Sequence, residues 1–306
     1  MGNLFSTRSL RPPATDMLNE SVCELYSTEG VPDVEVVFCH GLQPSSNYKD
    51  AYWKTWLSRD NEVIWPKSWL GDYLRDQKQI QARILTLSYD SYARKHTGQM
   101  GLYKIVENMR NHLIEAGVGR SCPVVLIGHS LGGLVLKELL IESDLVTAGM
   151  TPTTPEAQKM VNFVRNCKGL FLYSTPHHGS EVADMVNRIP AIFARLNYPV
   201  VDLLRTLATK PARINSNFAK VREVLGIKSR AIGENLPSTA LWVLSWVVVP
   251  EGSSRLDVDA GEYHTAVDAN HFDVCKPKSK TDSSFSRPVD LIAAVVEERR
   301  NAQAHS

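Results

Sequence analysis

Apolar residues recur along this chain in two alternating patterns. Short, nearly continuous runs appear at 34–39 (Val-Glu-Val-Val-Phe-Cys), 82–89 (Ala-Arg-Ile-Leu-Thr-Leu-Ser-Tyr), 123–127 (Pro-Val-Val-Leu-Ile) and 169–174 (Gly-Leu-Phe-Leu-Tyr-Ser). Such runs, short and rich in β-branched and aromatic residues, read as strands covered on both faces. Between them lie longer stretches at helical spacing. Ile105, Val106, Met109, Leu113 and Ile114 mark a helix over 103–116, stopped by Gly117-Val118-Gly119. The stretch 134–140 follows the third run, and 161–164 closes a helix before the fourth.

Beyond residue 180 the pattern is helical to about 225, interrupted by Pro190, Pro199 and Pro211. Shorter strands are expected at 229–233 and 241–249, and a weaker one at 263–267. Residues 276–288 read as a polar loop, and 289–299 as a closing helix. Strands alternating with helices predict an α/β fold, with a mostly parallel sheet and helices on both faces. The 306 residues, 43% of them apolar, suffice for one large core. The expected organisation is a flexible tail over 1–30, then one domain over 31–300 with a helical insertion at about 181–225.

The third strand runs directly into Gly128-His129-Ser130-Leu131-Gly132-Gly133, and a helix follows. Strand, sharp turn and helix, with Ser at the turn and Gly two residues to either side, are the parts of a nucleophile elbow. The turn would lift the Ser130 hydroxyl out of the sheet and set it at a helix N-terminus, where the Leu131 amide can face a developing oxyanion. A serine nucleophile needs a base, and the base needs an acid. In this fold their chain order is Ser, acid, His. His271 follows the last strand and precedes the final helix. His264 competes, but lies inside the weak strand. For the acid, Glu234 ends the strand at 229–233, and Glu251 comes one strand later. Asp257, Asp259 and Asp268 are also downstream. A second oxyanion donor is expected from the loop after the first strand, at His40-Gly41-Leu42, with the Leu42 amide as donor and His40 bonding beneath the loop. His40, Gly41, His129 and His177 are expected to line the substrate site.

Charge and composition narrow the partners. With 34 basic and 33 acidic residues the formal net charge is +1, which gives no polyanion-binding signature, so nucleic acid is not an expected partner. The five cysteines are scattered, with no paired metal-ligand spacing, and read as buried thiols. No metal or organic cofactor is implied. No stretch reaches the ~18 to 20 apolar residues of a membrane span; 240–249 is about half that and reads as a buried strand. Four tryptophans, Trp53, Trp56, Trp65 and Trp69, are expected either to build an apolar acyl site or to pack the core. The first six residues fit the acceptor pattern for N-myristoylation at Gly2. The N-terminus up to Pro13, with Arg8 and Arg11 and no acid before Asp16, also fits a weak organellar presequence or a plain tail.

Several of these segments, in order, resemble the family of serine active site-containing protein 1, within the α/β-hydrolase superfamily. They are Val37 to Leu42, Trp65-Pro66-Lys67-Ser68-Trp69-Leu70, the elbow, Ser174 to Ser180, Glu234-Asn235-Leu236-Pro237, and Asp268-Ala269-Asn270-His271 with Cys275-Lys276-Pro277. The match runs over about residues 30 to 300, and its specific parts are the Trp-Pro-x-x-Trp-Leu and His-x-x-x-Cys-Lys-Pro elements. The resemblance implies an α/β-hydrolase fold and a lipase- or esterase-like serine hydrolase acting on acyl esters of a lipid or lipid-like substrate. It further implies a link to phospholipid remodelling and an intracellular, peripheral association with mitochondrial or endoplasmic reticulum membranes. By position, Ser130 would be the nucleophile, His271 the base, and Glu234 the Glu of the Glu-x-x-Pro element. The chain departs from the family in lacking the long N-terminal extension of animal members and in the spacing after Pro250. A second expectation of a different class is a low-turnover ligand-binding protein on the same fold, motivated by the several candidate acids.

Overall fold

The computed structural model describes residues 16–41, 50–89, 98–177, 211–240, 244–246, 249, 254, 262–265 and 268–305. Its strands are β1 (Asp16–Met17), β2 (Val22–Ser27), β3 (Val34–Cys39), β4 (Ala82–Leu87), β5 (Val124–His129), β6 (Cys167–Tyr173), β7 (Lys228–Gly233), β8 (Ser238–Ala240), β9 (Leu244–Trp246) and β10 (Glu262–Thr265). The helices are α1 (Ala51–Lys54), α2 (Gly71–Lys78), α3 (Gly98–Glu115), α4 (Leu131–Thr147), α5 (Pro155–Asn166), α6 (Pro211–Leu225) and α7 (Ser283–Ala304), and a π-helical turn, Pro66–Leu70, leads into α2.

Eight strands form one sheet in the order β1-β2-β4-β3-β5-β6-β7-β10. From β4 to β10 all neighbours are parallel, while β2 joins β4 antiparallel and β1 joins β2 antiparallel. This mostly parallel sheet is what the alternation of strand and helix predicts, and the α/β-hydrolase architecture is what the resemblance implies. Period-two alternation along β3 sorts its side chains onto the two faces. Val37 and Cys39 join a core with α3, α4, α5 and α6. Val34, Val36 and Phe38 join a second core with α2 and α7. Phe38 meets Trp56 and Trp65 edge-on, at centroid distances of 4.9 and 5.3 Å. Burying one such ring contributes roughly 1.5–3 kcal/mol. Trp53, Trp56 and Trp65 are fully buried and Trp69 is partly buried against the same cluster, so these residues pack the core.

Two expectations are corrected, and a third falls partly outside the described residues. The tail expected over 1–30 is part of the sheet from Asp16 onward, because β2 pairs with β4 along its whole length and buries Val22, Cys23 and Leu25. The strand expected at 241–249 is described only in part: 244–246 form β9, paired with β8 in a separate two-stranded sheet, and 241–243 and 247–248 lie outside the described residues. The polar loop expected over 276–288 ends at Asp282, whose side chain accepts from the Ser284 N–H and caps α7. That helix therefore begins well before 289 and carries Pro288 inside it. The insertion expected at 181–225 lies outside the described residues up to 210, and α6 forms its end. The tail at 1–15, with Gly2, also lies outside them. No described helix is long and apolar enough to cross a membrane.

Candidate active site

The elbow is held open by contacts that admit no side chain. A Cβ on Gly128 would stand 2.7 Å from the Gly133 Cα, one on Gly132 would collide with the His40 carbonyl, and one on Gly133 with the Thr175 hydroxyl. Ser130 itself adopts φ 54° and ψ −126°, a strained conformation for a residue with a Cβ. The Ser130 N–H donates to the Tyr173 carbonyl at 2.8 Å, tying the turn to the neighbouring strand. Leu131 opens α4, so its N–H has no acceptor one turn earlier in that helix.

Three side chains from three loops at the carboxyl edge of the sheet converge here. Ser130 Oγ lies 2.9 Å from His271 Nε2, and His271 Nδ1 lies 2.7 Å from Glu234 Oε2. All three residues are buried, at 2%, 5% and 2% exposure. A carboxylate only accepts, so the Nδ1 proton donates to Glu234 and Nε2 is left open toward the serine hydroxyl. The other carboxylate oxygen accepts from the Val249 N–H at 3.0 Å, which fixes the plane of the group. Glu234 reaches this place because β7 ends beside β10, and the Ala269 carbonyl accepts from the N–H groups of Asn235 and Leu236. The acid loop and the base loop thus brace each other. His264 lies within β10. Asp268 is at φ 53°, where the chain turns from the sheet into the His271 loop. Glu251, Asp257 and Asp259 lie outside the described residues, as does Leu42.

The four residues expected to line the substrate site have other partners. His40 is fully buried and stacked on Tyr89 at 4.7 Å. Its Nδ1–H donates to the Gly41 carbonyl at 2.7 Å, and its Nε2 accepts from the Tyr89 N–H at 3.4 Å. Burial holds its pKa down to about 4, so the ring is a neutral pin under the loop. Gly41 packs on the elbow, where a Cβ would stand 2.9 Å from both the His129 carbonyl and the Ser130 Cβ. His129 donates Nε2–H to the His271 carbonyl at 2.8 Å, and burial, with the neighbouring His271 charge, holds its pKa down to about 3. It bears on the base through the backbone. His177 is buried and faces α4, where its Nδ1 accepts from Lys137 Nζ at 3.1 Å while its carbonyl accepts from Asn215 Nδ2 at 2.5 Å. Polar groups that sequence alone places near a site are drawn here into satisfying one another, as burial requires.

Two apolar side chains on the acid and base loops are substantially exposed: Leu236, two residues after the acid, at 40%, and Phe272, directly after the base, at 36%. The Phe272 ring meets His271 edge-on at 5.6 Å. Neither was singled out in the sequence, where an isolated apolar loop residue carries no signal. Among the described residues, no cluster of His, Cys, Asp and Glu could hold a metal ion.

No family model matches the sequence. Among curated proteins, the chain is 28% identical to Protein SERAC1 of Bos taurus over 289 residues, covering 87% of this chain and 40% of that protein. The identity to Protein SERAC1 of Homo sapiens is also 28%, with the same coverage. The chain thus spans about two-fifths of the length of these relatives. Among solved structures, a soluble variant of monoglyceride lipase from Saccharomyces cerevisiae, in complex with a substrate analog, matches with a TM-score of 0.51 at 9% identity, over 97% of this chain and 99% of that one. The chain therefore has the α/β-hydrolase fold, and the SERAC1 proteins whose motifs it resembles are similar to it in sequence along most of its length.

Proposed function

We propose that this chain is a serine hydrolase that cleaves acyl esters of a lipid or lipid-like substrate, with Ser130 as nucleophile, His271 as general base and Glu234 as the acid that orients it. The observation that carries this reading is the continuous hydrogen-bonded line from Ser130 Oγ through the imidazole to the Glu234 carboxylate. His271 Nε2 would take the hydroxyl proton as Oγ attacks the ester carbonyl. The carboxylate would stabilise the imidazolium that forms, and the proton would then pass to the departing alkoxide. Water attacking the acyl-enzyme would reverse the same proton path. The Leu131 amide, at the positive end of α4, would face the tetrahedral oxyanion; one such donor contributes roughly 3–4 kcal/mol to the barrier lowering. The continuous line to Glu234 supports this reading over a low-turnover binding protein on the same fold, which the choice among acids motivates.

The lipid-like substrate class is supported by the exposed apolar side chains Leu236 and Phe272 on the loops that carry the acid and the base, and is what the resemblance to the serine active site-containing protein 1 family implies. Membrane association through Gly2, and the phospholipid-remodelling and organelle links implied by the resemblance, belong to this reading as further proposals. Turnover of a series of p-nitrophenyl esters of increasing acyl length, and of monoacyl- and diacylglycerophospholipids, tests it. Release of free fatty acid that disappears in Ser130→Ala is expected; absence of turnover across both series would count against the esterase reading.

A further inference from the structure

We infer that Arg59 is a residue that positions His271, by gripping the backbone of the loop that carries it. The inference rests on the reading of Ser130 and His271 as the reacting pair. Arg59 donates to three backbone carbonyls of the loop that carries His271: Nη1 to Asp268 at 3.0 Å, Nη2 to Asp273 at 3.2 Å and Nε to Lys276 at 3.3 Å. Its own N–H donates to the Pro277 carbonyl at 3.1 Å. These acceptors bracket His271 on both sides. Among the described residues the loop pairs with no strand, although the Asp273 carbonyl also accepts from the Lys276 N–H; a guanidinium presents several fixed donors where a lysine presents one movable charge.

The mount is itself rigid. Arg59 sits in a tight turn closed by the Leu57–Ile64 bridge and by the Ser58 N–H donating to the Val63 carbonyl at 2.8 Å. Trp65, one residue past the bridge, donates Nε1–H to the Cys275 carbonyl at 3.0 Å, a second anchor on the same loop. The Trp-Pro and Cys-Lys-Pro motifs are thus the two halves of one joint. The Asp273 carboxylate lies 3.8 Å from Arg59 Nη1 and accepts from Asn270 Nδ2 at 2.8 Å, a bond that the amide oxygen of an Asp273→Asn variant can also accept. Arg59 touches no reacting atom, so it is a positioning residue.

The test compares Arg59→Lys and Asp273→Asn with the wild-type full chain. The readouts are kcat and KM on a p-nitrophenyl ester, and the proton resonance of His271 Nδ1–H in histidine-labelled protein. Arg59→Lys is expected to lower kcat by roughly tenfold to a hundredfold, the scale set by small misplacements of a reacting group, with KM unchanged and the Nδ1–H signal broadened. Asp273→Asn is expected to leave all three as in the wild type. An Arg59→Lys protein with wild-type kcat and an intact signal would overturn the inference, as would an equal loss in Asp273→Asn. If the wild type neither turns over nor reacts with a fluorophosphonate at Ser130, the hydrolase reading fails separately. The Nδ1–H signal still decides whether Arg59 holds the ring: a sharp signal in Arg59→Lys refutes it.

Discussion

The hydroxyl of Tyr173 donates to the backbone carbonyl of Ser284 at 2.5 Å. That carbonyl lies four residues before Pro288 in α7, and proline has no N–H to give it. Tyr173 therefore replaces the missing helical donor from across the sheet, while its own carbonyl accepts from Ser130. One residue links the elbow to the closing helix. Tyr173→Phe keeps the ring and leaves a buried carbonyl unsatisfied, so it is expected to destabilise the fold by about 1–3 kcal/mol in urea titration. An unchanged midpoint would show that the carbonyl finds another partner.

Gly132 and Gly149 make a paired prediction. A methyl group at 132 runs into the His40 carbonyl, a backbone atom that cannot swing away. Gly132→Ala is expected to cost about 3 kcal/mol or more and to abolish turnover by displacing the elbow. At Gly149, φ is +70° with open space around the Cβ position. Gly149→Ala is expected to cost only about 1–2 kcal/mol, from left-handed strain, and to leave kcat alone. Thermal unfolding and kcat together check both.

Glu234→Gln tests tautomer control. The amide oxygen would still accept from the Val249 N–H, which turns the NH2 group toward His271 Nδ1. The ring would then carry its proton on Nε2 and have no lone pair for Ser130. Turnover is expected to fall by roughly 10²–10⁴-fold with the fold intact. Circular dichroism that matches the wild type, with kcat within a few-fold, would remove Glu234 from the mechanism.

Acid stability follows from two buried imidazoles. Burial holds His129 at about 3 and His40 at about 4, below the ordinary histidine value of about 6.5. Each is neutral in the fold and takes up a proton on unfolding, so the unfolded state binds more protons between those values. Their contribution is fully present above about pH 6.5 and is lost as pH falls toward 4 and then 3, at up to about 1.4 kcal/mol per pH unit for each ring. The urea midpoint is expected to drop steadily from pH 7 to pH 5. His129→Asn is expected to flatten that slope; an equally steep slope in the variant would assign the acid sensitivity elsewhere.

Much of this was legible in the sequence because it is local. The continuous run at 34–39 is β3 residue for residue, and the elbow shows in six consecutive residues. Chain order and strand ends offered Ser130, His271 over His264, and Glu234 among several acids, and these three side chains lie within hydrogen-bond distance of one another in line. What stayed hidden is long-range or carried by the backbone. Arg59 grips carbonyls more than 200 residues away, and a carbonyl has no residue signature. The helical stretch after the elbow looked amphipathic through Lys137 and Glu138, yet both are buried, with Lys137 bonded to His177 and Asn215. The closing helix runs through Pro288, where the Ser284 carbonyl, left without a helical donor, is satisfied by the Tyr173 hydroxyl from across the sheet. The strand β2, next to the sheet's edge, short and half polar, had no pattern strong enough to separate it from a tail.

The central claim is that the Ser130 hydroxyl is made nucleophilic by His271. Treating the full chain with a fluorophosphonate and mapping the adduct by mass spectrometry tests it most directly. A single adduct on Ser130 is expected, formed much more slowly in His271→Ala and absent in Ser130→Ala. Labelling of Ser130→Ala at the wild-type rate, or an adduct confined to another serine, would contradict the account.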